Sequence, residues 1–403
     1  MRCCLMSKIA YIGVDDVARK ITTMYVGIND VAKRIKKAYI GIGDVARPFL
    51  DDSMRLLYYG QAGYMYEPVE LLAATHTSDH AIFGGGNALS SKSGNYYNSP
   101  VVATYDKYLT RRFIEYLNEG RCRLAATHVG DFAIFAGGDE GSMSYSSNVV
   151  DAYGYDMTHY QITSLYSLST CLSATHTSKY AIFAGGVNYL SHPEFNVPHV
   201  SCYDDNLVRH IPLGIDNRGP DIAATHIGDK AFFAGGLDLD NYILTNTVEM
   251  YDDSLTKYYA ASLIKDTGGM SATSNGKRAI FAGGYDTMDP SASITAYAYD
   301  STGSLSIISS LSYGRFYMTA TSLGGYSIFA GGMTYPGNIY EYNAEIPNNE
   351  VDVYDMNLTK KIVEPMSIKR YNLASTHIGN YALFAGGCTV NYELTNLLEV
   401  YAI

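Results

Sequence analysis

The chain has 403 residues, of which 17% are charged, and a formal net charge of −11, with 38 tyrosines and no tryptophan. Residues 1–50 hold nine Lys/Arg against four Asp, and the remainder holds 20 against 36 Asp/Glu, so the two parts are expected to face different partners. The acidic remainder lacks the basic footprint that nucleic acid or a polyanionic wall polymer requires, and no apolar run approaches the length of a membrane span.

Met1-Arg-Cys-Cys-Leu-Met6 is too short for a signal peptide. The six cysteines, Cys3, Cys4, Cys122, Cys171, Cys202 and Cys388, have no framework spacing. They are expected as free thiols of a chain folded in a reducing cytosol, without a secretory leader.

Residues 10–50 carry a 14-residue repeat: AYIGVDDVARKITT, MYVGINDVAKRIKK and AYIGIGDVARPFLD, with Tyr11, Tyr25 and Tyr39 in register. Each unit has two apolar-alternating halves around a turn pair, which predicts hairpins in a small β-meander. The alternative is Asp16 capping a short helix over Val17 to Ile21. Three short hairpins make little core. This module, residues 1–50, is therefore expected to pack on copies of itself, on the rest of the chain or on a partner. Pro48 ends it.

A strand is expected over Leu56 to Met65. Seven copies of a longer repeat follow, in the pattern ATHxGDYAIFAGG, clearest in Arg123 to Gly138. Their closing glycines are Gly86, Gly138, Gly186, Gly236, Gly284, Gly332 and Gly387. A period near 50 residues matches a four-stranded propeller blade. Within each copy an Ala/Thr strand leads through a polar turn to a short apolar run such as Phe132-Ala-Ile-Phe-Ala136, a strand buried on both faces. A third strand follows, reading Val-x-x-Tyr-Asp-x-x-Leu-Thr, as at Val248 to Thr256. Its Asp starts a turn into an alternating fourth strand. The last copy stops after its third strand, so the strand at 56–65 is expected to complete it and close the ring. The expected fold is all-β, a seven-bladed propeller over residues 51–403 behind the N-terminal repeats.

The glycine pair, the later Tyr and the period resemble kelch repeats, although the Trp that usually follows the Tyr is absent. The variant repeat is similar to propellers encoded by phages and prophages of Gram-positive bacteria. The YIGVxxVAR units resemble the N-termini of phage tail-associated proteins. The resemblance implies a virion protein attached to other virion proteins through its N-terminal repeats, as a homo-oligomer. The location implied is the virion, after synthesis in the host cytoplasm.

Five repeats carry His at one position: His76, His128, His176, His226 and His377. Ser274 and Ser322 stand there in the other two. Equivalent positions are expected far apart around a ring, so that no two share an ion, and each residue is expected to satisfy turn backbone groups. No nucleophile elbow, phosphate loop or metal-spaced Cys/His set is present, and neither catalysis nor a cofactor is expected. The loops between second and third strands vary in length and are rich in Tyr. Tyr96, Tyr97, Tyr145, Tyr189, His192, Tyr242, Tyr335, Tyr340 and Tyr342 are the expected ligand-binding residues, because Tyr gives broad amphipathic contact at low entropy cost. The expected ligand is a host cell-surface glycan or protein. The alternative is an architectural or decoration role without receptor binding.

Overall fold

The computed structural model describes residues 56–403 except 91–92, 141–144, 189–197, 217–218, 239, 287–291 and 335–345. It describes the backbone alone for Phe113 and for seven strands within residues 1–55. The chain forms two compact units, Met1–Leu56 with Ile403, and Leu57–Ala402.

In the first unit, Ile9–Val14 pairs with Val17–Lys20, Met24–Ile28 with Val31–Ile35, and Lys37–Ile42 with Val45–Asp51. The second half of the first repeat is thus a strand and not a capped helix. Among the described residues the pairings form separate sheets rather than one meander. Each register is set inside its own repeat by Val14 facing Val17, Ile28 facing Val31 and Ile42 facing Val45. A two-residue turn fixes a hairpin, but nothing in the repeat fixes pairing between hairpins.

The second unit is all-β and propeller-like. Among the described residues it contains seven four-stranded antiparallel sheets. The second sheet is typical: Ala125–Val129, Phe132–Ala136, Val150–Tyr153 and His159–Gln161, in that order. Phe132–Ala136 is buried beyond its first residue because it lies between two strands of its own sheet and under both neighbouring sheets. In the seventh sheet the outer strand comes from the other end of the sequence. Leu57–Tyr64 pairs with Leu397–Ala402, with register shifts beside Glu399 and Val400.

Each sheet carries the same aromatic pair, Phe on the second strand against the ring of Tyr on the third, as in Phe135–Tyr153 at 6.1 Å and 84°. These tyrosines are the core residues of the repeat and are nearly or wholly inaccessible. Six of the seven hydroxyls donate to a backbone carbonyl, as Tyr251 does to Leu213 at 2.9 Å. Tyr299 is the exception, its buried hydroxyl having no partner.

The glycine pair joins sheets. Gly138 N–H donates to the Ser169 carbonyl at 2.9 Å, and the equivalent bond recurs at every sheet boundary. It runs also from Gly387 in the seventh sheet to Val69 before the first, at 2.8 Å. A Cβ at Gly137 would stand 2.5 Å from the Ser169 carbonyl, and one at Gly138 2.6 Å from that of Cys122. Both glycines also have positive φ, 65° and 105°, so no other residue fits either place.

The repeated Asp caps the turn into the fourth strand. Asp252 Oδ1 accepts from Ser254 N–H at 2.9 Å and Thr256 N–H at 3.1 Å. Asp106, Asp204, Asp300 and Asp355 do the same in their sheets. The repeated Asp is therefore a turn-forming group, whereas Asp253, next to Asp252, accepts instead from Lys179 N–H of another sheet at 3.2 Å.

Candidate functional site

The innermost strands surround a channel. A strand presents alternate residues to each face, and in Ala125–Val129 the buried Ala125, Thr127 and Val129 alternate with the more accessible Ala126 and His128. Three cavities sharing wall residues run along the axis, of about 490, 280 and 140 Å³.

The largest lies where the chain enters each inner strand. Its rim is one repeat position: Leu71, Arg123, Cys171, Asp221, Gly269, Tyr317 and Asn372. All seven have φ between 49° and 66°, left-handed backbone that costs non-glycine residues free energy. Backbone hydrogen bonds tie successive members together. Arg123 N–H donates to the Leu71 carbonyl, Cys171 to Arg123, Gly269 to Asp221, Tyr317 to Gly269, and Leu71 to Asn372. The strained turn is thus held by its neighbours around the axis. Immediately below, Leu72, Leu124, Leu172, Ile222, Met270, Met318 and Leu373 make an apolar floor.

The rim carries mixed chemistry. Asp221 accepts from the Tyr285 hydroxyl at 2.6 Å and is bonded by Tyr317 as well. Burial raises the carboxyl above the usual range while the two hydroxyls pull it back. Burial and the Asp221 charge raise Tyr285 in turn. Tyr285 also packs edge-on against Phe316 at 5.5 Å and Tyr317 at 6.4 Å. Arg123 Nη1 donates to Asp139 at 2.7 Å with its side chain 41% exposed. Asn372 Nδ2 donates to Glu70 at 3.0 Å. Burial pushes the Cys171 thiol up to about 11, against the pull of Arg123, so it is not a thiolate at neutral pH.

Of the predicted ligand-binding residues, Tyr96, Tyr97, Tyr145 and Tyr242 are described. Tyr96 and Tyr97 lie on Tyr96–Asn98, a ribbon strand paired with Asn87–Leu89. Both are exposed, and the Tyr97 hydroxyl donates to Glu67. Tyr145 begins a short strand paired with Asp139–Glu140, and it and Tyr242 are exposed. None of these four lines the axial cavity. Tyr189, His192, Tyr335, Tyr340 and Tyr342 lie outside the described residues.

Sequence reasoning missed the rim. Its signal was present: the residue before Leu/Ile/Met of each inner strand is different in all seven copies, inside an otherwise uniform stretch.

The histidines correct an expectation. They are not far apart. His377, His76, His128, His176 and His226 form a continuous file at the opposite end of the channel, with successive ring centroids 4.2, 4.3, 4.1 and 3.7 Å apart. Seven inner strands converge closely enough on the axis for repeat-equivalent side chains to touch. At this repeat position Ser274 Oγ accepts from Gly276 N–H at 3.0 Å as expected, but the rings do not cap the turns. Thr77, Thr177 and Asn275 do that, Thr77 Oγ1 accepting from His80 N–H at 3.2 Å, Thr177 Oγ1 from Tyr180 N–H at 3.2 Å and Asn275 Oδ1 from Arg278 N–H at 2.8 Å.

Among the described cysteines, Cys122, Cys171, Cys202 and Cys388 are free thiols. No family model and no curated protein matches the sequence. The chain is similar in fold to the solved structure titled "Structure of YjhT", at 13% identity and a TM-score of 0.54, over 84% of this chain and 96% of that one.

Proposed function

We propose that residues 51–403 are a closed seven-bladed kelch-like β-propeller whose loop face binds a host-surface glycan. Residues 1–50 attach it, as a homo-oligomer, to other proteins of a bacteriophage tail. The role is binding rather than catalysis. The observation that carries the binding reading is the rim of the axial cavity. It gathers the ring of Tyr317, bonded to the Asp221 carboxyl, with the amide of Asn372 and, across the rim, the guanidinium of Arg123, above an apolar floor. Sugar rings offer apolar faces that stack on aromatics and hydroxyls that pair with such planar polar groups. The volume, about 490 Å³, lies in the range of small-molecule sites. The strained, mutually bonded backbone holds these side chains before a ligand arrives, which reduces the ordering cost of binding. The virion assignment rests on the YIGVxxVAR repeats and their positive charge.

The test is titration of the labelled full-length protein on intact Gram-positive cells and on arrays of their wall glycans. Saturable binding that free sugar competes away, and that Asp221→Asn and Tyr317→Ala each weaken about tenfold, a loss of roughly 1.4 kcal/mol, is the expected result. Saturable binding untouched by either substitution would move the site to the Tyr96 and Tyr97 loops. Absence of binding by the folded protein would favour the architectural role.

A further inference from the structure

The histidine file lines the end of the channel opposite the rim. Ser274 and Ser322 complete the ring of seven positions. The imidazoles meet side against side, at interplanar angles of 39° to 51°. Two imidazoles bound to one zinc ion, with Zn–N near 2.0–2.1 Å, would hold their centroids about 5 Å apart. These stand closer than that. Among the described residues no group of three or more His, Cys, Asp or Glu is placed to hold a metal ion.

The wall at this end consists of Ala, Thr, Ser and His alone. It offers hydrogen-bond donors and no carboxylate, so a cation has no counter-charge there. Among the described residues, the one hydrogen bond to these five rings joins Thr127 Oγ1 and His176 Nδ1, at 3.5 Å. The remaining ring nitrogens are therefore left to the lumen. The elements packed against the collar are the seven inner strands, the third-to-fourth-strand turns that bring Lys107, Asp205 and Asp253 up from outside, and the turns that follow the inner strands. Those turns carry Asp79, Asp131 and Asp229 on one side of the balance and Lys179, Lys230, Lys277 and Arg278 on the other. None of these groups lines the cavity.

The geometry points to a proton-coupled oxyanion site, in which the collar takes up a small anion of the sulfate or phosphate class together with protons from solvent. Each proton adds to an imidazole nitrogen and turns that acceptor into a second donor. The anion supplies the negative charge that the wall lacks. Without an anion, burial and then the neighbouring rings keep His128 and His226 down to about 4 and hold His76 and His176 well below the usual range. An anion bound to the charged collar must raise these values, and by linkage its own affinity must rise as pH falls.

The experiment is calorimetric titration of the full-length protein with inorganic sulfate, which stays a dianion between about pH 5 and pH 7.5. The expected result is binding that tightens toward the lower pH by about tenfold for each pH unit over which one proton is taken up with the anion. The heat should depend on the buffer, reporting proton uptake. The double variant His128→Ser/His176→Ser, which uses the residue already native at Ser274 and Ser322, should fold and lose the site. Affinity independent of pH, affinity retained in the folded double variant, or no binding at the lower pH would each overturn the proposal. A nuclear magnetic resonance titration of the wild-type imidazoles gives a reading that needs no variant. Sulfate should raise their midpoints, and unmoved midpoints would refute the site.

Discussion

Arg370→Val would leave a buried carboxylate without its cation. The Arg370 and Glu399 side chains are both wholly inaccessible, with Nη2 to Oε2 at 2.8 Å. Arg370 Nη1 also donates to the carbonyls of Gly386 at 2.7 Å and Leu397 at 3.0 Å. Removing one member of such a pair costs about 3–5 kcal/mol, because the other charge stays buried and unpaired. A domain's whole stability is about 5–15 kcal/mol, so the variant should sit near the edge of folding. The other sheets supply the control. At the two equivalent positions the second sheet has Arg121 with Asp151 and the sixth has Arg315 with Asp352, again buried pairs. The fourth has Gly219 with Glu249, and Lys257 from the outer strand takes the place of the Arg, 2.5 Å from Glu249. The first sheet has Val69 with Ala103, both apolar. Charge is thus present where a partner is present. The double variant Arg370→Val/Glu399→Ala copies the first sheet. It forfeits the bonds that Glu399 accepts from Ser367 N–H at 2.6 Å and the Tyr58 hydroxyl at 2.7 Å, worth about 1 kcal/mol each. Both variants also forfeit the Arg370 bonds to the Gly386 and Leu397 carbonyls, so the double variant should lose roughly 4 kcal/mol, still less than the single variant, which adds the unpaired charge, in urea unfolding followed by circular dichroism. A double variant as unstable as Arg370→Val would refute the account of an uncompensated charge.

The Tyr299 hydroxyl, unpaired among the seven core tyrosines, gives a sharper comparison. Tyr299→Phe should be neutral or slightly stabilising, whereas Tyr251→Phe should cost about 1–2 kcal/mol in the same assay, because only the second leaves a carbonyl without its donor. Gly138→Ala combines a left-handed φ with a Cβ that would meet the Cys122 carbonyl at 2.6 Å. It should cost about 3 kcal/mol or more, seen as a lowered melting temperature, since backbone cannot yield as a side-chain tip can. Acid should weaken the fold through the histidine file. The folded protein favours the neutral rings, burial first and neighbouring imidazoles second, with His128 and His226 at about 4. An unfolded imidazole takes its proton near pH 6.5. The unfolded chain then binds more protons, and stability falls as pH drops from about 6.5 to about 4. Because the channel admits solvent, roughly 1–2 kcal/mol per ring is expected. His128→Ser should flatten the profile, and an unchanged slope would show that other groups set it.

Strand identity was readable in the sequence because it depends on neighbours a few residues away. Phe132 to Ala136 is a short apolar run between a polar turn and a glycine pair. That is enough to make it a strand covered on both faces, and the structure buries it so. The turn role of Asp252 was readable for the same reason, its partners being two and four residues on. What equivalent residues do to one another across repeats was not readable. His128 and His176 are 48 positions apart in the chain, and no pattern of period two or fifty says whether their rings stand far apart or touch. That depends on how tightly seven inner strands converge on the axis. The rim was hidden for the opposite reason. A search for repeats weighs what recurs, and Leu71, Arg123, Cys171, Asp221, Gly269, Tyr317 and Asn372 share no side chain. They share a left-handed turn and a hydrogen bond to the neighbouring sheet, properties of backbone that any side chain can be made to adopt once the surrounding sheets hold it there. The sequence by itself therefore determined the sheets. Only the tertiary structure decided which residues meet on the axis, because that meeting is a property of the assembled sheets and not of any one repeat.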